Sequence, residues 1–311
     1  MKAADDRTRA VRSRRLRDAF IDTATGFGRL LPKGRTTIFR LAHWAVGQPS
    51  KIIGTVDHQR FCVDVKDEGI SLRAYLMDAW EPEVSRVMCM LLKPGSTFVD
   101  VGANKGYFCL LAAKRVLPNG RVISYEPHPG NATDIDTTIE ENGYRHWTNR
   151  AVAASSEVGA VKFYTPGWAD GMSGWGSIHR PCDSFIEVQR VLLADDLAAQ
   201  QIQLVDLLKI DVEGHEIQVL EGASAWLATG RISNLLVEVH LTELESAGIS
   251  RLFELMSSFR YHPYTTVEGK KSLRDATLCN LLRPVTCSEI QMIEKSPRNR
   301  PHVVWSKETI A

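Results

Sequence analysis

Short apolar runs alternate with helically spaced apolar residues through most of the chain. Residues 97–101 and 204–210 are apolar runs of strand length, and residues 105–116 repeat apolar positions at helical spacing. The alternation continues in strand-like runs at residues 121–125, 147–153, 161–165, 185–193, 232–239 and 277–282, and in helical segments at residues 131–142, 217–227 and 251–258. Strands that alternate with helices predict an α/β fold with a mostly parallel sheet and helices on both faces.

The first part of the chain follows a different pattern. Residues 1–50 predict helices interrupted around Gly26–Gly34, and residues 52–65 alternate as a β-hairpin does. Residues 71–92 predict two helices that are split near Pro82.

These patterns predict three regions. We expect an N-terminal extension and cap of helices and a hairpin over residues 1–92, and the main domain over residues 93–287. Residues 288–311 are polar and contain Pro297 and Pro301, so we expect a loosely attached C-terminal tail.

Composition narrows the class of protein. Of the 311 residues, 44% are hydrophobic and 24% charged, which suits a large core and excludes a disordered or fibrous chain. The 38 basic and 37 acidic residues give a net charge of +1, which does not indicate a broad nucleic-acid-binding surface. We therefore expect no nucleic-acid partner, and the sequence carries no sign of an oligomeric state.

Three features bear on location. Six scattered cysteines form no Cys-x-x-Cys pair, which excludes the zinc-ribbon and thioredoxin signatures and suits a reducing compartment. No run of about 18 apolar residues predicts a transmembrane helix. The first 20 residues carry seven basic side chains without a following apolar stretch, unlike a secretory signal. We expect a cytoplasmic protein whose N-terminus is a solvated, partly helical extension.

The segment after the strand at residues 97–101 carries the strongest chemical signal, in the sequence Asp100-Val101-Gly102-Ala103-Asn104-Lys105-Gly106. Gly102 permits a sharp turn, and Gly106 permits close approach to the helix backbone. Free amides at a helix N-terminus attract an anionic group, whereas the Asp100 carboxylate suits an ammonium group. A ligand with both groups fits this loop, and the methionyl part of S-adenosylmethionine (SAM) is such a ligand.

Glu126 supplies the second half of the cofactor signal. It ends the next predicted strand, where an acidic side chain accepts hydrogen bonds from two ribose hydroxyls. The loop and Glu126 together predict a nucleoside cofactor. Asn104 stands where a dinucleotide-binding fold requires its second glycine, which speaks against a nicotinamide-dependent oxidoreductase.

Several segments together resemble the FkbM family of SAM-dependent methyltransferases, over roughly residues 61–283. They are Asp100 to Tyr107, Glu126-Pro127, Lys209 to Glu216, Val219 to Ala223, Glu238-Val239-His240, Gly174 to Ser177, Trp80-Glu81-Pro82 and Lys93-Pro94-Gly95. The resemblance implies a Rossmann-like class I methyltransferase sheet of seven strands, the last antiparallel. It implies SAM binding by Asp100, Gly102, Ala103, Asn104, Gly106, Tyr107, Glu126, Pro127 and Asp211.

A second group of polar residues lies at the ends of two later predicted strands. Lys209 and Asp211 share one face of their strand, and Glu238 and His240 share a face of the next. The carboxyl ends of parallel strands are where ligands bind in open α/β sheets. We therefore predict that His240, Asp211, Glu238 and Lys209 are the catalytic residues.

Each of these residues has a predicted role and a plainer alternative. A hydroxyl nucleophile needs a base, and His240 is the first choice because imidazole titrates near neutral pH, with Asp211 second. Alternatively, Asp211 only caps a helix, His240 is a satisfied loop histidine, and Lys209 only neutralises Asp211 or Glu238. Asp211, Glu213, Glu238 and His240 are also a possible divalent-metal site, but a metal is not favoured because the residues lack a fixed ligand spacing, and we assign no metal ligands.

The segment from Pro166 to Ser177 contains four glycines and two tryptophans. Such a loop suits a lid that stacks on a planar acceptor, and equally a surface loop pinned by its tryptophans.

The most specific hypothesis is a SAM-dependent O-methyltransferase that acts on a sugar, glycoconjugate or polyketide-like metabolite, with the acceptor class implied by the family resemblance. The alternatives are a non-catalytic SAM-fold binding module and, less favoured, a nicotinamide-dependent oxidoreductase.

Overall fold

The computed structural model describes residues 2–31, 33–165, 176–266, 282–293 and 300–309. These residues divide into two compact units. The first contains residues 2–80 and 133–143, and the second contains the remaining described residues from Glu81 onward. The boundary after Trp80 differs from the predicted boundary at residue 92 because the helix that begins at Pro82 packs with the second unit.

The first unit is built from helices and one hairpin: α1 (Lys2–Arg29), α2 (Arg35–Ala45), β1 (Lys51–Val56), β2 (Gln59–Asp64) and α3 (Ser71–Met77). The predicted hairpin is confirmed, with Val56 paired to Gln59. Asp57 and His58 between them both have positive φ, as the two central residues of a type I′ turn do.

Helix α1 is exposed over residues 11–16 and packs against the hairpin further along the chain. Ile21 and Thr25 are fully buried, and the buried Asp18 carboxylate accepts a hydrogen bond from the Ile53 amide at 3.2 Å. One face of α1 therefore packs against the hairpin.

The second unit contains the remaining strands. They are β3 (Thr97–Val101), β4 (Arg121–Tyr125), β5 (Trp147–Arg150), β6 (Ala153–Ser155), β7 (Gly159–Tyr164), β8 (Phe185–Leu192), β9 (Val205–Ile210), β10 (Ile232–Glu238), β11 (His262–Thr266), β12 (Leu282–Pro284) and β13 (His302–Ser306). Most of them form one eight-stranded sheet in the order β12-β11-β13-β10-β9-β3-β4-β5, and β6, β8 and β7 form a small second sheet.

The helices α4 (Pro82–Leu91), α5 (Tyr107–Arg115), α6 (Pro129–Asn142), α7 (Leu193–Ala199), α8 (Glu216–Gly222), α9 (Ser224–Thr229), α10 (Leu241–Ser258) and α11 (Cys287–Gln291) follow or connect these strands. Residues 133–143 of the α6 region count with the first unit. The predicted α/β fold is confirmed.

The main sheet has a parallel core and an antiparallel edge. Strands β5, β4, β3, β9 and β10 pair in parallel, and β13 lies antiparallel between β10 and β11. Central strand β9 buries Leu207, Leu208 and Ile210 completely, as a strand covered on both faces requires. The seven strands implied by the family resemblance are present, and β12 adds an eighth.

Strand β13 corrects the prediction of a loosely attached tail over residues 288–311. Val303, Val304 and Trp305 are completely buried and pair with β10 and β11. The β-forming run is only five residues long and follows a polar segment with two prolines, so the sequence pattern does not distinguish it from a tail. The strand predicted at residues 277–282 lies outside the described residues except for Leu282, which begins β12.

Candidate active site

The candidate site lies in the second unit, at the edge of the sheet where its parallel strands end. The loop after β3, the residue after β4 and the residues after β9 and β10 all follow the carboxyl ends of neighbouring strands. Ligands bind at this edge in open α/β sheets. The predicted cofactor residues and the predicted catalytic residues are therefore brought to one edge.

The loop after β3 is fixed by backbone hydrogen bonds. The amides of Gly102 and Ala103 both donate to the Tyr125 carbonyl, at 2.9 and 3.1 Å. Gly102 has a φ of +84°, and a Cβ there would lie 1.9 Å from the Asp211 carbonyl oxygen. Only glycine therefore fits this position.

Asn104 explains the departure from a dinucleotide-binding motif. Its φ is +52°, in the left-handed region that asparagine tolerates better than most residues. Its amide donates to Glu126 Oε2 at 2.7 Å. Gly106, with a φ of +77°, is the N-cap of α5, and the first helical residue, Tyr107, is buried. The loop thus turns its backbone toward the end of β4.

Glu126 is held where the ribose contact was predicted. Its second oxygen, Oε1, accepts the His128 amide at 2.8 Å, and only 4% of the residue is exposed. Burial raises the pKa of Glu126 to about 7, against the opposing hydrogen bonds. Each oxygen keeps further acceptor capacity, so this pair of acceptors fits the two hydroxyls of a ribose diol. Pro127 follows as a half-buried residue.

Asp100 is placed differently from a ligand-facing carboxylate. It has no exposed surface, its Oδ2 accepts the Cys109 thiol at 3.4 Å, and its Oδ1 lies 3.8 Å from Lys209 Nζ. Burial raises the pKa of Asp100, and the charge of Lys209 opposes that rise. In this structure Asp100 is an ion-pair partner of Lys209, and its contact with a ligand ammonium stays a prediction.

Lys209 lies between the two halves of the site. Its Nζ donates to Asp211 Oδ2 at 3.1 Å and sits 4.7 Å from the centre of the Phe108 ring. The surrounding carboxylates raise the pKa of Lys209 despite its burial. The neutralising role considered for Lys209 matches these contacts.

His240 is enclosed by carboxylates. Its Nδ1 lies 2.6 Å from Glu216 Oε1, which also accepts the Gly214 amide at 3.1 Å. Its Nε2 faces Glu213 Oε2 at 3.5 Å, Asp211 Oδ1 at 3.7 Å and Glu238 Oε1 at 4.0 Å.

These surroundings contradict the expectation that His240 titrates near neutral pH. Burial lowers the pKa of His240, but the neighbouring carboxylates of Glu213, Glu216 and Asp211 outweigh burial and raise the pKa to about 11. His240 therefore already holds its second proton at neutral pH and is not a free base. The sequence could not show this, because Glu213 and Glu216 are brought to the ring only by folding.

The pKa values of Asp211 and Glu238 shift in opposite directions. Burial raises the pKa of Asp211, but the charges of Lys209 and His240 lower it by more, so the pKa lies below its usual range. Burial and the charge of Asp211 raise the pKa of Glu238 well above its usual range. Asp211 is the more open of the two, with 26% of its side chain exposed.

Three further residues complete the site and were not predicted. Arg300 Nη1 donates to Glu213 Oε1 at 2.8 Å, and His302 Nε2 lies 3.5 Å from Glu81 Oε2. Burial and, to a smaller extent, the charge of Asp211 raise the pKa of Glu81 to about 7. Burial and, to a smaller extent, the charge of Lys209 lower the pKa of His302 to about 4. Glu81 lay in a segment that matched the family, whereas Arg300 and His302 fell in the supposed tail and gave no signal.

A cavity of about 800 Å³ opens beside this cluster. Its lining includes charged side chains such as Glu81, Glu238 and Arg300 and apolar side chains such as Val285 and Ile290. A mixed lining of this kind suits an acceptor with both hydroxyl and apolar groups.

The neighbouring His215 does not belong to the cluster. Its ring nitrogens lie 2.9 Å from Ser155 Oγ and 2.7 Å from His179 Nε2. Burial and, to a smaller extent, the charge of His179 lower the pKa of His215 to about 4.

Most of the predicted lid, from Pro166 to Ser177, lies outside the described residues. At its end, Ser177 Oγ donates to the Glu213 carbonyl at 3.0 Å.

Comparison with known proteins identifies the family. Residues 100–263 match the methyltransferase FkbM domain. The 31-O-demethyl-FK506 methyltransferase FkbM of Streptomyces tacrolimicus is 30% identical over 217 residues, which cover 58% of this chain and 77% of that protein.

Two solved structures are also similar. An FkbM methyltransferase from Methylobacillus flagellatus KT is 13% identical with a TM-score of 0.45, covering 97% of this chain, and this chain spans 60% of its length. A SAM-dependent O-methyltransferase from Thermotoga maritima is 12% identical with a TM-score of 0.41, covering 86% of this chain and 82% of that one. Among the described residues, no helix combines the length and apolar character that a membrane span requires.

The domain match extends over more than half of the chain, and the Streptomyces protein is matched over more than two thirds of its length. The chain therefore belongs to the FkbM family of SAM-dependent methyltransferases, as its motifs predicted.

Proposed function

We propose that this FkbM-family methyltransferase transfers a methyl group from SAM to a hydroxyl of a sugar, glycoconjugate or polyketide-like metabolite. One observation supports the proposal most: Glu126, fixed by two amides with acceptor capacity left for ribose hydroxyls, and the charged cluster lie at the same edge of one sheet. The name of the Streptomyces relative, an O-methyltransferase acting on 31-O-demethyl-FK506, supports a hydroxyl acceptor.

The residues after β3 and β4 fit the cofactor. The left-handed loop from Gly102 to Gly106 leaves backbone amides at the start of α5, which suits the carboxylate of the methionyl part. The Glu126 carboxylate, fixed by two amides, suits the ribose hydroxyls. When bound, SAM supplies an electrophilic methyl group on a positively charged sulfur.

The residues after β9 and β10 would orient the acceptor and take its proton. Asp211 offers a partly exposed carboxylate, and the buried ion pair with Lys209 keeps it ionised and fixed. A neutral hydroxyl is weakly nucleophilic, so a base must accept its proton during transfer.

Glu81 is the best candidate for that base. It lines the cavity, 29% of its side chain is exposed, and its pKa of about 7 makes it half ionised near neutral pH. A carboxylate tuned to this range is an efficient general base at physiological pH. His240, already protonated, would instead hold Asp211 and Glu213 in place.

The test is an acceptor screen with SAM, in which S-adenosylhomocysteine and the mass of one added methyl group are measured. We expect turnover with hydroxylated sugars, glycoconjugates or polyketide-like metabolites. Glu187→Gln, which changes an exposed glutamate on β8, should retain that turnover. Methylation confined to amine-bearing acceptors, or to nucleic acid, would contradict the proposal.

A further inference from the structure

Three potential ligand atoms converge at the ends of β9 and β10. One ligand atom from each of Asp211, Glu213 and His240 lies within 4.8 Å of the other two. His240 Nε2 lies 3.5 Å from Glu213 Oε2 and 3.7 Å from Asp211 Oδ1. Metal–ligand bonds of about 2.0–2.2 Å place two ligands of a tetrahedral ion roughly 3.3–3.6 Å apart. The two distances from His240 Nε2 are therefore close to the spacing that a single metal ion imposes.

The imidazole is aimed into this space. The His240 side chain is completely buried, and its Nε2 makes no hydrogen bond; the buried Glu213 Oε2 makes none either, although Arg180 Nη2 lies 3.3 Å from it. Glu216 holds Nδ1 on the other side of the ring at 2.6 Å. A carboxylate on one imidazole nitrogen, with the other nitrogen turned to the centre, is the arrangement that orients metal-binding histidines.

Carboxylate oxygens surround this space. Asp211, Glu213 and Glu238 each place an oxygen within 4.0 Å of His240 Nε2. Carboxylate oxygens are metal ligands, so the space offers more than one oxygen to an ion beside the imidazole nitrogen.

We propose that Asp211, Glu213 and His240 bind one divalent transition-metal ion, with Glu216 orienting the His240 ring. Binding of the ion releases the Nε2 proton of His240 to solvent, because an imidazole nitrogen ligates a metal only when it is deprotonated. A nitrogen ligand beside two carboxylates favours manganese, iron, cobalt or zinc over magnesium or calcium. The open side of Asp211 leaves a place for an acceptor oxygen, which a metal ion would make more acidic; this use of the ion rests on the proposed methyl transfer.

A second cluster must be distinguished from this one. Glu81, Glu238 and His302 also bring three ligand atoms within 4.8 Å of one another. The first cluster is preferred because the His240 ring is fixed by Glu216, which leaves its other nitrogen for the ion.

The experiment titrates MnCl₂ into the chelator-treated full-length protein by calorimetry, and CoCl₂ by visible absorption. We expect one ion per chain, at least a 100-fold loss of affinity in His240→Ala, and a loss of roughly 10–100-fold in Glu216→Gln, the usual effect of removing an orienting group. His146→Ala, whose ring bonds the Ala113 carbonyl at 2.8 Å, is the matched control and should bind as wild type does.

Three outcomes would overturn the assignment: neither ion binds the wild-type protein, His240→Ala binds both as before, or the loss appears in His302→Ala and not in His240→Ala. If His240→Ala does not fold, Glu213→Gln takes its place in each comparison. SAM binding is measured on the same samples. A protein that binds SAM but neither ion refutes the metal site alone, and one that binds an ion but no SAM refutes the proposed function alone.

Discussion

The two halves of the candidate site use different parts of the chain's chemistry. At the ends of β3 and β4, left-handed backbone at Gly102, Asn104 and Gly106 shapes the loop, and two amides fix Glu126. At the ends of β9 and β10, buried side chains fix one another, as Lys209 does Asp211. The first half is a backbone cradle and the second is an electrostatic cluster.

This difference predicts how each half responds to substitution. A change in the cradle should alter cofactor affinity, because the amides and Glu126 would contact SAM directly. A change in the cluster should alter turnover or folding stability, because its charges are mutually dependent and most of them are buried.

The largest effect expected is on turnover in Glu81→Gln. Glutamine keeps the size of the side chain but cannot accept the acceptor's proton, so kcat should fall by about 10²–10⁴. In wild type, kcat should rise with pH through about 7 as Glu81 loses its proton, and this limb should vanish in the variant. Steady-state kinetics from pH 5.5 to about 8.5 measure both effects; unchanged kcat in Glu81→Gln would place the base elsewhere.

A large loss of folding stability is expected for Lys209→Met. Lys209 is the buried cation next to Asp100 and Asp211, and removing one partner of a buried ion pair costs about 3–5 kcal/mol. Urea unfolding checks this value against Lys114→Met, an exposed lysine on α5 that should change stability by less than about 0.5 kcal/mol. Equal losses in the two variants would mean that the cluster contributes no special electrostatic stability.

The contrast between the halves also explains what could be predicted from the sequence. The cradle is local: Gly102, Asn104 and Glu126 follow consecutive strands, so their positions at one edge of the sheet could be predicted from spacing. The turn at Gly102 was correctly expected to need glycine, although its reason, the nearby Asp211 carbonyl, appears only in the structure.

For the cluster, the sequence could predict which residues of β9 and β10 meet, but not their protonation. Lys209, Asp211, Glu238 and His240 were correctly expected at one edge of the sheet because parallel strands end together. The protonation of His240 depends on Glu213 and Glu216, whose distances from its ring no sequence pattern specifies. Arg300 and His302 reach the cluster because β13 inserts beside β10, a pairing between segments more than sixty residues apart.

A smaller effect is expected in the cradle when pH changes. Ribose hydroxyls donate to an ionised carboxylate, and burial raises the pKa of Glu126 to about 7. Ionisation is therefore mostly complete at pH 8 and mostly lost at pH 6, and SAM affinity should fall about tenfold between them. Calorimetric titrations at the two pH values measure this change. Glu126→Gln should remove the dependence, and an unaltered slope in that variant would assign it to another group.

The most direct test of the division between cradle and cluster is calorimetric titration of SAM and of NAD into the wild type, Glu126→Ala and Glu81→Gln. We predict that the wild type binds SAM and not NAD, and that Glu126→Ala weakens SAM binding by about 1–3 kcal/mol, the cost of losing charge-assisted hydrogen bonds. Glu81→Gln should bind SAM within about twofold of wild type, a difference of less than about 0.5 kcal/mol. Binding of NAD without SAM, or unchanged SAM affinity in a folded Glu126→Ala, would contradict the account.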